Sequence, residues 1–327
     1  MANGFTSVVD ADSIGVQTVL NAYDMALNWE LRSQPLFRNA ATVKKGPEDL
    51  NNPGPLVRFT MNPYLGAASN TDLHEYNQPT ARVLPQAAYI DVPLTEFGDI
   101  VIPTFKLRTV SFTDVDAVVA RDLAAAMADD VDKRVLTVLR QGTNVVYSAA
   151  GVPTPTGPTN TVADAAGDVF TSKIARFIST QMRANNAIPL GDTGEYVALI
   201  HPHVEHDLRA ETGVGGWRVV HEYQAAGNIW RGNIGIYEGL AYVVSNRCYT
   251  ANDGTGSDTV YRTLVLAAEA LAEAVAVEPH MTIGPVTDAF NRHRPAGYHA
   301  YAGWGRFREA CLYRAETTSS VSTTALT

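Results

Sequence analysis

Cysteine is nearly absent: Cys248 and Cys311 are the two in 327 residues. They lie in different strand-like segments without CxxC spacing, which excludes a disulfide framework and a zinc motif and suits a reducing cytoplasm. Long apolar runs are missing too. None approaches the roughly 18 residues that cross a bilayer, and residues 1–20 lack a basic region followed by an apolar stretch, so the chain reads as neither membrane-spanning nor secreted. Positive charge is in short supply, with 25 Lys plus Arg against 34 Asp plus Glu and a formal charge of −9. That balance argues against a dedicated nucleic-acid binder whose affinity rests on phosphate neutralisation. What is present is 46% hydrophobic and 18% charged residues, the composition of a globular protein with a large core.

The segments follow in a definite order. Residues 1–50 carry scattered apolar positions and a helical patch near 19–31, without sustained heptads, and lead into the breaker cluster KKGPEDLNNPGP at 44–55. This part reads as an extended arm. Strand-like LVRFTMN (56–62) and RVLPQAAYIDV (82–92) then flank a polar stretch at 66–80, with Pro63, Pro79 and Pro85 interrupting. A two-stranded loop of this length is marginal alone and is expected to need a partner surface. Over 114–141, Val115, Val119, Leu123, Met127, Val131, Val135 and Leu139 recur every three or four residues, which predicts an amphipathic helix roughly 42 Å long. Phe112, Thr113 and Asp116 suggest a staple and capping box at its start, and Gly142 suits a left-handed position after its end.

The stretch GVPTPTGPTN (151–160) reads as a linker between domains. Beyond it, Phe170, Ile174, Phe177, Ile178 and Met182 mark a second helix, YVALI (196–200) a buried strand, and Pro202 the start of a short helix that Gly213 can stop. Strands are expected within 234–246 and 261–268, separated by the turn-rich ANDGTGSD, and again within GRFREACLYRAE (305–316). The polar end from 319 is expected to fray.

Candidate chemistry is sparse. His201, His203, Glu205 and His206 bring three imidazoles and a carboxylate within six residues, a ligand set for Zn²⁺ or Cu²⁺, but without HExxH spacing. A metalloenzyme using His203 and His206 is the reading this would support; solvated histidines at a strand-to-helix junction is the plainer one. Gly213, Gly215 and Gly216 match neither a dinucleotide fingerprint nor a P-loop. Without a GxSxG elbow or a cysteine–histidine signature, no catalytic residue is assigned. In 291–314, five arginines, among them Arg292 and Arg294, interleave with Tyr298, Tyr301, Trp304, Phe307 and Tyr313. Such a segment suits single-stranded nucleic acid or a protein interface; the acidic whole favours the interface.

The layout of arm, long hairpin, molecule-length helix, linker, α/β segment and returning strand resembles tailed-phage major capsid proteins of the HK97 fold. The runs TDLHEYNQPTARVLPQAAYIDVPLTEFGDIV (71–101) and AFNRHRPAGYHAYAGWGRF (289–307), with Asp129, Asp130 and Asp132 inside the helix, are similar to the N4-gp56 type. The resemblance implies an α+β fold with an N-arm at 1–50, an E-loop at 51–92, a P-domain at 93–147 and 281–320 carrying the spine helix, an A-domain at 148–280 and a tail at 321–327. It implies a structural, non-enzymatic protein of the virion, without cofactor or metal, assembled in the bacterial host cytoplasm.

The partners it implies are copies of the chain in hexamers and pentamers forming an icosahedral shell around double-stranded DNA held without sequence specificity, a portal and a cementing protein. Only about 50 residues without heptads precede the E-loop, so scaffolding is expected from a separate protein. The lysines are Lys44, Lys45, Lys106, Lys133 and Lys173, with none in the E-loop, so the Lys–Asn cross-link of some relatives is not expected. Inter-subunit candidates are Leu65, Leu73, Tyr76 and Arg82 in the E-loop, Trp217 and Trp230 in the A-domain, and Arg292, Arg294 and Trp304 in the final segment; no DNA-facing residue is assigned. An encapsulin-like compartment shell shares this layout and is the main alternative.

Overall fold

A computed structural model describes residues 36–49, 54–61, 65, 75–76, 81–111, 114–155, 157, 159–163, 167–190, 194–211, 235–285, 288, 290 and 292–321. In chain order they form β1 (Ala41–Lys45), β2 (Leu56–Met61), β3 (Ala88–Pro93), β4 (Thr95–Val101), α1 (Phe105–Val110), α2 (Val115–Leu139), β5 (Val145–Ala149), β6 (Val152–Thr154), α3 (Ser172–Ala184) and β7 (Tyr196–Ile200). There follow α4 (Pro202–Ala210), β8 (Ile236–Tyr237), β9 (Leu240–Val244), β10 (Thr250–Ala251), β11 (Val260–Leu266), β12 (Leu271–Ile283), β13 (Ala296–Arg306) and β14 (Leu312–Thr317). The helical patch at 19–31, the Phe112–Thr113 cap and the glycines at 213, 215 and 216 lie outside the described residues.

The long helix forms where its periodicity places it. Asp114 caps it, its Oδ1 accepting the Asp116 N–H at 3.1 Å, and Leu123, Val131, Val135 and Leu139 are buried along one face. Its end differs from expectation: Gly142 does not take a left-handed backbone. A glycine is needed there for closeness instead, since a Cβ would stand 2.8 Å from Leu312 Cδ2.

Among the described residues two larger sheets organise the chain, beside the two-stranded pair β2-β3. The first has the order β1-β12-β13-β4, with β1 parallel to β12 and the remaining pairs antiparallel. One of its faces lies under α2, where Phe97 and Trp304 meet at 6.0 Å between ring centroids and the Arg134 guanidinium covers Phe97. The second runs β6-β5-β14-β11-β7-β9-β8, with β10 on β11, and buries Ile174, Ile178 and Met182 of α3 against it. One continuous core joins both sheets.

The two sheets are interleaved along the chain. The strand β12 begins at Leu271 and belongs to the first sheet, whereas β14 inserts between β5 and β11 of the second. Among the described residues three crossings therefore connect the halves, and they are bonded side by side. Ala267 N–H donates to Cys311 O, Phe307 N–H to Ala270 O, and the Asn144 amide donates to Glu309 O and Leu312 O.

The stretch 151–160 is not a free linker. Val152–Thr154 pairs with β5 through a two-residue turn in which Ala150 (φ 51°) and Gly151 (φ 75°) are both left-handed, the conformation of a tight hairpin. The polar end is also held at its start: Ser319 Oγ donates to His203 O, and the Ser320 N–H donates to Asp207.

Candidate functional site

The hairpin of β2 and β3 is two-faced. Alternation turns Val57, Phe59 and Val92 toward the first sheet, where all are buried, and Leu56, Arg58, Tyr89 and Asp91 outward. The sheet admits the hairpin because Gly303 and Gly305 face it: a Cβ on Gly303 would lie 2.1 Å from Pro93 O, and one on Gly305 would lie 2.7 Å from Val92 Cγ2. The hairpin is expected to need a partner surface, and its base finds one on its own chain. On the outer face, Arg58 grips the opposed Asp91 with two hydrogen bonds of 2.8 and 2.9 Å and lies over Tyr89. The Arg58 hydrogen bonds hold the Asp91 carboxyl below the usual carboxylate range.

Beyond the paired strands the cover ends. Val83 (87% exposed), Leu84 (77%) and Tyr76 (93%) present apolar surface that nothing among the described residues shields, and Leu65 is partly exposed. Arg82 donates to Leu65 O and so ties the two sides together. Leu73, Trp217 and Trp230 lie outside the described residues.

A second feature anchors the arm at Leu36 and Phe37. The nearly inaccessible Asp132 of α2 accepts the N–H groups of Leu36 and Phe37 at 3.0 and 2.6 Å and pairs with Arg247, which also reaches Asp129. Buried Glu273 of β12 takes Arg38 at 2.7 Å and the Trp304 indole N–H at 3.3 Å, with Lys44 at 3.6 Å. Sequence pattern singled out Asp132 within an acidic run but not its partners, which lie 95 to 115 residues away.

Other expectations are redirected. Trp304 is a core residue, 7% exposed, and not a surface contact: alternation that sends its glycine neighbours to the hairpin sends the indole beneath α2. The arginines of the final segment are largely engaged within the chain, Arg292 with Asp288, Arg306 with Glu309, Arg308 with Glu269 and Arg314 with Glu316. Arg294 is exposed. Both cysteines are buried, and burial, reinforced by the Asp132 charge, pushes the Cys248 thiol up to about 12.

The histidine cluster forms no ligand set. His201 caps α4 by accepting the His203 N–H, His203 Nδ1 lies 2.7 Å from Tyr261 Oη, and His206 turns to Asp207. Burial first, and the neighbouring His203 second, bring His201 down to about 4. Among the described residues no three His, Cys, Asp or Glu side chains gather to hold a metal.

A helix laid on one face of a sheet, a long hairpin laid on the other and an α/β lobe continuous with both define an HK97-like shell subunit. The family model described as phage capsid protein matches residues 89–315, and the chain belongs to that family. Solved structures with this fold include the capsid of cyanophage P-SCSP1u (TM-score 0.68, 16% identity, covering 90% of this chain and 92% of that one). Others are a structure of Mycobacterium phage Che8 (0.63, 17%, 89% and 94%) and the capsid of Ralstonia phage GP4 (0.64, 14%, 93% and 96%). No curated protein sequence matches significantly. The chain is a structural subunit of the virion shell, and family and fold alike point away from catalysis.

Proposed function

We propose that the chain is a major capsid protein of the N4-gp56 type that builds an icosahedral shell through hexamers and pentamers and encloses double-stranded DNA. Its division of labour follows 1–50 as arm, 51–92 as E-loop, 93–147 with 281–320 as P-domain and 148–280 as A-domain. A separate scaffolding protein guides assembly in the host cytoplasm, a portal occupies one vertex, and a cementing protein reinforces a lattice that has no lysine-derived cross-link. The observation that carries this reading is the hairpin: its base is docked on its own sheet while none of the described residues covers Val83 and Leu84. Such side chains gain burial against a neighbouring copy, and a subunit that grips several neighbours at once turns weak contacts into a durable wall.

The test is the double substitution V83S/L84S. Both positions are exposed, so the subunit is expected to fold with its melting temperature nearly unchanged, while electron microscopy of the co-expressed protein shows no closed particles. Particles in wild-type yield would overturn the assignment of this hairpin to shell contacts.

A further inference from the structure

The geometry points to a metal-binding clip formed by His280 and His299 on the outer face of the first sheet, suited to a borderline transition-metal ion such as Zn²⁺ and independent of the shell assignment. The two histidines are directly opposed on β12 and β13, and their rings meet at 4.1 Å between centroids. Opposed residues of an antiparallel pair project from the same face with neighbouring Cβ atoms, the arrangement in which two imidazoles can share one ion.

The face is settled by its neighbours. Tyr298 and Ala300 are buried on the α2 side, so His299 between them projects to the opposite side. Across the next strand pair it meets Gly98, which brings no side chain to that face, and exposed Glu96 follows two residues away. A carboxylate one diagonal step away adds negative potential for a cation. No ion-pair partner of Glu96 is found among the described residues, and the shallow groove between Glu96, Ile100 and His299 gives solvent access to the imidazole.

The tautomer is prepared as well. His280 Nδ1 lies 2.8 Å from the Glu278 carbonyl oxygen, so this nitrogen carries the proton and donates, which leaves Nε2 with a free lone pair. A ring N–H held by a backbone carbonyl is the usual outer support of a metal-ligating histidine. Sharing one ion requires His280 Nε2 and a His299 nitrogen each to come to a bond of 2.0–2.1 Å, with water completing the shell.

The ladder supplies a reason for the clip. Its register shifts twice between Val275 and His280, so the last four pairs, from His280–His299 to Ile283–Ala296, lie beyond an irregularity and are joined to the rest of the sheet less firmly. An ion shared across the first pair past that break fastens the far end.

The experiment titrates zinc chloride into the purified full chain by calorimetry and follows thermal melting with and without a chelator. The expected result is one zinc per chain and a melting temperature raised by zinc and restored by chelator. His299→Ala and His280→Gln should each weaken binding at least about tenfold, and H280Q/H299A should abolish it. The control H203A/H206A should bind as wild type. His280→Gln is at an exposed position and keeps the fold testable should His299→Ala not fold. Absence of binding by the wild type up to about 1 mM, binding that survives H280Q/H299A, or its loss in the control would each overturn the clip.

Discussion

At the residue scale, Asp132 decides more than any surface contact. It is 1% exposed and holds two backbone amides of the arm together with Arg247. Removing one partner of such a buried charge leaves the other unpaired, which costs about 3–5 kcal/mol. Asp132→Ala is therefore expected to lower the stability measured by urea unfolding by that amount and to make the residues near 36–40 readily cleaved by protease. His201 gives a second prediction. Its folded-state value of about 4 lies below the unfolded value of 6.5, so between these limits the unfolded chain holds more protons and stability falls as pH falls. Melting between pH 7 and pH 4 should show this loss, and His201→Asn, which keeps an acceptor for the His203 N–H, should remove its share of the slope. That Cys248 and Cys311 form no disulfide was legible from spacing; that Asp132 bonds Leu36 and Phe37 was not, because sequence shows charge runs but not which distant amides lack a partner.

The elements were legible in proportion to their periodicity. The long helix, the second helix, YVALI and the short helix opened by Pro202 all form where the spacing of apolar residues put them. The hairpin shows the opposite case. Its strands could be seen, but its docking depends on Gly303 and Gly305, two residues with no side chain, some 210 positions further along. In sequence they read as part of an aromatic, arginine-rich segment. This gives an expectation for Gly303→Ala: the new methyl group meets the Pro93 carbonyl at 2.1 Å, the hairpin must lift, and stability falls by about 1–3 kcal/mol. Differential scanning calorimetry checks the magnitude, and an unchanged melting temperature would show that the hairpin yields without cost. Gly142 teaches the same lesson, since it serves close approach to Leu312 and not a left-handed turn.

For the whole molecule, the family resemblance carried by the order of segments pointed to the class of fold, whereas the partition into two sheets was hidden because β12 and β14 exchange places relative to a linear reading. The core runs without interruption from Val131, Val135 and Trp304 to Ile174, Ile200 and Leu264. A core shared by the two larger sheets implies that they unfold as one cooperative unit. Near-ultraviolet and far-ultraviolet circular dichroism of the dissociated subunit should therefore lose signal at a single denaturant midpoint, and two separate midpoints would show that the sheets unfold independently. The three crossings between the halves bear on mechanics. A tile with a single strap at its middle folds like a book, but this one is riveted across the middle by adjacent backbone bonds. Load applied to one lobe passes straight to the other, so the give in any wall made from such tiles is concentrated in the seams and in the overhanging hairpin ends.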